Sequence, residues 1–216
     1  MTRRIDPALI PASPTLQDFE QPLWDAGVHL VAGIDEAGRG ALAGPVCAAV
    51  VLLPPTPDLT IELEGVRDSK EMTPVQRERW AKVIQSTAAA WGVGFVTATT
   101  IDQIGIVPST RLAAQRALDK MPVIPQHLLI DALFLPENPI PQTSLLKGDA
   151  RCLSIAAASV LAKVARDKLL RAVAIDYPNY KLADNKGYGT RAHRSAIAKY
   201  GPTPIHRHSF APMRFA

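Results

Sequence analysis

Asp35 and Glu36 end an apolar run over residues 28–34 and open onto a turn with two glycines, Gly38-Arg39-Gly40. Acids at the edge of a core are costly unless they are paired or bound to cations. Asp131 ends a second apolar run, and Asp149 lies in Lys147-Gly148-Asp149-Ala150, just before a long helical stretch. Ends of neighbouring strands gather at one edge of a sheet. Four carboxylates gathered there would repel one another unless divalent cations of total charge about +4 sat between them, the arrangement of a two-metal phosphodiesterase. Oxygen-only ligands favour Mg²⁺ or Mn²⁺ over zinc. Taken singly, Asp131 and Asp149 read as ordinary cap or turn residues; the constellation is what points to chemistry. In a regular strand Asp35 and Glu36 face opposite ways, so a shared site requires the chain to bend at the glycines.

The elements that must hold these acids are written in the hydrophobic pattern. Residues 28–34 and 45–53 are apolar and β-favouring and predict two adjacent strands, and residues 91–100 predict a third. Thr73-Pro74-Val75-Gln76 is laid out as a capping box with proline at the first helical position, predicting a helix to about residue 90. A helix over 109–120, a short buried strand over 127–131 and a further strand at 145–147 follow. Residues 154–176 hold no Gly or Pro and predict the longest helix; a last one covers 191–200, with Gly201 at its cap. The order gives an α/β sheet that begins as an antiparallel meander and ends with parallel crossovers.

Apolar residues make up 47% and charged residues 20%, which excludes a disordered chain. The net charge of +4 is unevenly spread. Residues 181–216 hold seven Lys and Arg against one acid, a local +6, so the first 180 residues carry −2. That pattern fits either a solvated basic helix or an appendage that meets a polyanion. Cys47 and Cys152 lack metal-ligand spacing and point to a reducing compartment. The longest apolar stretch, 41–53, is broken by Gly44 and Pro45 and is well short of the roughly 20 residues that span a bilayer. The N-terminus has no apolar core of a secretory signal and reads as a loosely ordered, Pro-rich arm over residues 1–15.

Six collinear stretches resemble bacterial ribonuclease HII, of the type 2 ribonuclease H family, from about residue 16 onward. They are GIDEAGRGALAGPV (33–46), RDSKEM (67–72), LLIDALFLP (128–136), KGDARCLSIAAASVLAKVARD (147–167), KGYGT (186–190) and IHRHSFAP (205–212). A lone glycine turn would be weak evidence; six motifs in order are strong. The resemblance implies a ribonuclease H-like fold, a mixed five-stranded sheet flanked by helices, with a catalytic domain over 16–178 and a basic C-terminal helical extension over 179–216. It implies a cytoplasmic, monomeric endonuclease acting on RNA/DNA hybrids and on ribonucleotides embedded in duplex DNA, with no membrane partner. Asp35, Glu36, Asp131 and Asp149 would bind two Mg²⁺ or Mn²⁺ ions and carry the catalysis. Asp167 competes for the fourth place but lies well inside the long helix, and Asp149 is preferred.

The resemblance also assigns substrate contacts. Gly38, Arg39 and Gly40 are similar to the family's ribose-reading turn, where residues without side chains let the backbone approach a 2′-hydroxyl. Tyr188 is similar to the tyrosine that packs on the following sugar, and Ser69 and Lys70 would hold phosphates. His193, His206 and His208 are read as surface or capping residues. The chain departs from the family pattern at Ala132, where glycine usually follows the third acid, at Gly105, where asparagine is common, and at His208, usually arginine. A dinucleotide-binding module is the rival for Gly38, Gly40 and Gly44, opposed by the adjacent acids and by a strand where a helix is required. A nucleic-acid-binding protein without activity would keep the turn but has no use for the carboxylates. The related ribonuclease HIII usually has an extra N-terminal domain and a lysine at the place of Arg39.

Overall fold

The computed structural model describes residues 14, 15, 18–211 and 213, so the expected arm falls almost wholly outside the described residues, as does Arg214. Strands β1 (Val31–Ala37), β2 (Val46–Leu52) and β3 (Ala90–Val96) form an antiparallel meander, and β4 (His127–Asp131) and β5 (Gln142–Leu145) add in parallel, giving the order β3-β2-β1-β4-β5. Every residue of β2 is buried because helices cover both faces of the sheet. On one face lie α3 (Pro74–Thr87), preceded by the one-turn α2 (Leu59–Glu62), and α6 (Leu153–Val173), packed on Val31, Ala49, Val51 and Leu129. On the other, α5 (Ile106–Leu118) packs on Ala32, Ile34, Val50 and Ile130. A third apolar cluster, with Leu42, Leu170, Tyr180, Leu182 and Ile197, joins the C-terminal helices α7 (Leu182–Asn185) and α8 (Arg191–Tyr200) to the loop after β1 and to α6.

The long helix is seated on β1 at a residue with no side chain. A Cβ on Gly33 would run into the backbone of Ser154 and Ile155, so helix and strand touch backbone to backbone. The buried Glu20, on α1 (Glu20–Asp25), accepts the Ser154 N–H at 2.8 Å, placing a carboxylate at the positive end of α6. These contacts fix the start of α6, and with it the short 3-10 turn Gly148–Ala150, beside the carboxyl ends of β1 and β4.

Three local outcomes differ from the sequence pattern. The third strand stops at Val96, because the Thr97 hydroxyl accepts the Thr100 N–H at 3.3 Å and caps a helix, α4 (Ala98–Ile104), where strand was expected. Gly105, at φ 84°, ends α4 and starts α5 at Ile106, ahead of the expected start at 109. β5 begins at Gln142, earlier than the apolar run at 145–147 indicates, since it is a half-exposed edge strand with little hydrophobic signal. The capping box at Thr73 and Gln76 forms with both of its bonds. Both cysteines are buried and free, and no helix among the described residues is long and apolar enough to cross a membrane.

Candidate active site

Strands β1 and β4 pair in parallel up to Ile34 and Ile130. One residue further on each strand stand Asp35 and Asp131, on the α6 face by strand alternation. β1 keeps its antiparallel partner through Ala37, so Asp35 and Glu36 both sit in regular strand, and the left-handed residue, Gly38 at φ 93°, comes after them. The bend expected to unite the two acids is therefore absent. Both nevertheless line one cleft, which lies at the end of β1 beyond its last pair with β4. Asp35, Glu36, Asp131, Gly38, Arg39, Gly40, Ser69, Lys70, Arg77, Ser159, Lys163 and Tyr188 line it, around a volume of about 560 Å³. Asp149 stands just behind, 5% exposed and tied to the cleft through Lys70, whose Nζ lies 2.8 Å from its Oδ2.

The four carboxylates are close enough to act on one another. Burial, and then the charges of Glu36, Asp131 and Asp149, hold Asp35 well above the usual carboxylate range. Asp131 is pushed up to about 6 by burial and by Asp149. Burial also raises Glu36, although Arg39, at 3.3 Å, and Lys70 oppose the rise. For Lys70, burial works against the ammonium, but Asp149, Asp68 and Asp35 together keep its pKa above the ordinary lysine value.

One oxygen of each acid is held by the protein: Asp35 Oδ1 accepts the Glu36 N–H at 2.7 Å, Asp131 Oδ1 the Gly148 N–H at 2.7 Å, Glu36 Oε1 a hydrogen from Arg39 and Asp149 Oδ2 one from Lys70. The second oxygens accept no hydrogen bond among the described residues. An all-oxygen donor set under mutual repulsion fits hard divalent cations. Among the described residues no three such side chains are already closed into a metal cage, and the Lys70 ammonium supplies part of the positive charge the cluster needs.

Asp167, the competing acid, is engaged elsewhere. It pairs with Lys163 Nζ at 2.9 Å and with Arg77 Nη2 at 4.0 Å. The Ser69 hydroxyl bonds to that of Ser159 at 2.8 Å and is 4% exposed, while Arg77 holds the Ser69 carbonyl at 2.8 Å, so the turn carrying Lys70 is anchored from below. The Tyr188 ring is met by two cations of α6, Lys163 Nζ and the Arg166 guanidinium each lying 5.3 Å from its centre.

The two glycines of the turn differ in what surrounds them. A Cβ on Gly38 would strike the Arg166 guanidinium, so this residue is glycine because of the protein behind it. A Cβ on Gly40 would meet nothing within 4 Å, so the space its missing side chain leaves belongs to the cleft. Ala132, at φ 43°, is left-handed, which accounts for the glycine usual there; it is exposed and does not line the cleft.

Sequence reasoning missed the buried bases. Arg166 is 0% exposed and donates to the carbonyls of Pro45 at 2.8 Å, Ala43 at 3.0 Å and Lys186 at 2.8 Å. Arg207, counted with the basic tail, is also 0% exposed and cannot meet a solvent-borne phosphate. A usable signal was present on α6, where Ser159, Lys163 and Asp167 repeat at helical spacing and mark a polar stripe beside Arg166. His193 and His206 are fully buried, against a surface role. Thr203 N–H donates to His206 Nδ1 at 3.0 Å, which puts the His206 proton on Nε2, 3.1 Å from His193 Nε2; His193 then donates from Nδ1 to the Tyr188 carbonyl at 3.0 Å. Burial keeps both rings neutral, lowering His206 to about 4. The exposed His208 is held through its backbone N–H by Asp102 at 2.8 Å.

Comparison with known proteins gives a consistent result. A family profile described as Ribonuclease HII matches residues 32–213. The chain is 49% identical over 209 residues to a Ribonuclease HII of Roseiflexus castenholzii, covering 95% of this chain and 92% of that protein. Its fold is similar to that of the ribonuclease H2 from Pyrococcus horikoshii, with a TM-score of 0.72 and 25% identity over 86% of this chain and 95% of the other. It is also similar in fold to Bst-RNase HIII in complex with Mn²⁺, with a TM-score of 0.63 and 20% identity over 87% of this chain and 68% of that one.

Proposed function

The chain belongs to the ribonuclease HII family, and on that premise we propose that it hydrolyses the RNA strand of RNA/DNA hybrids and nicks duplex DNA on the 5′ side of embedded ribonucleotides, leaving 5′-phosphate and 3′-hydroxyl ends. The observation that carries this reading is the juxtaposition of the carboxylate cluster with a backbone turn whose Gly40 faces open cleft. Asp35, Glu36, Asp131 and Asp149 would hold two divalent cations, Mg²⁺ or Mn²⁺. Such ions supply activation of the attacking water and stabilisation of the leaving 3′ oxygen. The chain's own residues do the rest. Gly38, Arg39 and Gly40 present backbone groups to the 2′-hydroxyl, the feature that separates RNA from DNA. Tyr188, steadied by Lys163 and Arg166 of α6 and lining the cleft, is placed for the next sugar to pack on its ring. Arg39 and Lys70 neutralise phosphate charge, and Ser69 holds the turn that carries Lys70.

The catalytic domain spans residues 16–178, and the segment 179–216 is an extension packed on it that carries Lys181, Arg191, Arg194 and Lys199, all exposed, toward the duplex backbone. The enzyme works as a monomer in the cytoplasm. The test is a duplex with one ribonucleotide, a hybrid and an all-DNA duplex, each given Mg²⁺ or Mn²⁺. The first two should be cut, the third left intact, and chelator should stop cutting; intact substrates across both metals would overturn the proposal.

A further inference from the structure

Arg207 lies beneath the glycine turn with no exposed surface, and it makes no ion pair among the described residues. A buried, unpaired guanidinium is expensive. Burial, and then the neighbouring Arg166, lower its pKa to about 9, which measures how poorly the site suits a charge. All of its hydrogen bonds go to backbone carbonyls: Nη2 donates to Gly38 at 2.7 Å, Nη1 to Arg39 at 2.8 Å and Nε to Gly44 at 3.1 Å. With Arg166 holding Ala43 and Pro45, two guanidiniums take five carbonyls in the stretch 38–45.

What such a grip controls follows from peptide geometry. A trans peptide unit is planar, with its N–H pointing opposite to its C=O. The carbonyl of Gly38 shares a plane with the N–H of Arg39, and that of Arg39 with the N–H of Gly40. Both carbonyls are drawn down onto Arg207, so both N–H groups are turned the other way, and neither donates to a protein acceptor among the described residues. Unused donors fixed in direction beside an open cleft are preorganised for an acceptor that arrives with the substrate. A side chain in the C-terminal segment, more than 160 residues away in sequence, thereby sets the aim of the turn.

We infer that Arg207 is a positioning residue for ribose recognition, acting by fixing the Arg39 and Gly40 amides toward the 2′-hydroxyl. This rests on the reading of residues 38–40 given above. A lysine keeps the charge but lacks the planar fork and cannot hold both carbonyls in one plane. The test compares wild type with Arg207→Lys in binding to two duplexes, one with a single ribonucleotide and one all DNA, in Ca²⁺ to prevent cutting. Arg207→Lys should lose about tenfold in affinity for the ribonucleotide duplex while its affinity for the all-DNA duplex holds. Equal discrimination in a folded Arg207→Lys, or equal loss on both duplexes, overturns the inference. Failure of wild type itself to discriminate would sink the reading of the turn instead. Should the variant not fold, the wild-type Arg207 Nε–H resonance decides. It should shift on adding the ribonucleotide duplex and not the all-DNA duplex, and a resonance unmoved by both overturns the inference.

Discussion

Two charged regions face each other across the loop that follows β1, and they solve opposite problems. In the cleft, buried like charges crowd together with half of their oxygens unsatisfied, so burial first and then mutual repulsion make Asp35 and Asp131 hold their protons more tightly than free carboxylates do. Beneath the loop, Arg166 and Arg207 are buried more deeply, yet backbone carbonyls meet their donors, and the neighbouring histidines stay neutral. The cleft stores repulsion that a cation relieves; the shelf below converts buried charge into fixed geometry. Stability is therefore sacrificed where ligands bind and spent on aim where the turn is built.

The contrast breaks most sharply at Asp35. Asp35→Asn should lower cutting on the order of a thousandfold or more while leaving the fold at least as stable, because it removes a repelled charge. A variant that loses activity only by unfolding would erase the distinction between the regions. Arg166→Met tests the shelf from the other side. It should cost about 3 to 5 kcal/mol of stability by stranding three carbonyls, read from denaturant melts.

The two regions should also answer pH with opposite signs. His206 is lowered to about 4 from an ordinary 6.5, so the unfolded chain binds the proton first as pH falls. Its contribution is complete above 6.5 and lost between there and 4, a change of roughly 2 to 3 kcal/mol. Asp131 is raised from 3.8 to about 6, so its contribution is present at low pH and lost as pH rises through 6. Asp131→Asn should gain about 1 to 2 kcal/mol at pH 7, discounted for its partial exposure, and nothing near pH 4. Melts of both proteins from pH 4 to 8 check this, and parallel curves would mean that neither burial nor the neighbouring acids raise Asp131. The smallest effect belongs to Ala132→Gly. It should stabilise by about 0.5 to 1 kcal/mol without changing cleavage, since it relieves a left-handed alanine outside the cleft.

Much of this was legible in the chain. The apolar runs ending in Asp35 and Asp131, the capping box at Thr73 and the Gly- and Pro-free stretch of α6 state their elements through periodicity and local chemistry, which a sequence displays directly. Where local signals compete the reading slipped: Thr97 could continue a strand or cap a helix, and its side chain chose the cap. The six motifs also carried the family.

Tertiary structure decided how Asp35 and Glu36 come to share a cleft, which opens beyond the last β1–β4 pair with β1 still regular. It also turned Arg207 from one of the seven bases of the C-terminal stretch into a buried support, and His193 and His206 from expected surface or capping residues into a buried neutral pair. A residue type declares its charge and its donors in the sequence. Whether those donors meet water, phosphate or a carbonyl far away in the chain depends on packing between distant segments, which no local pattern records.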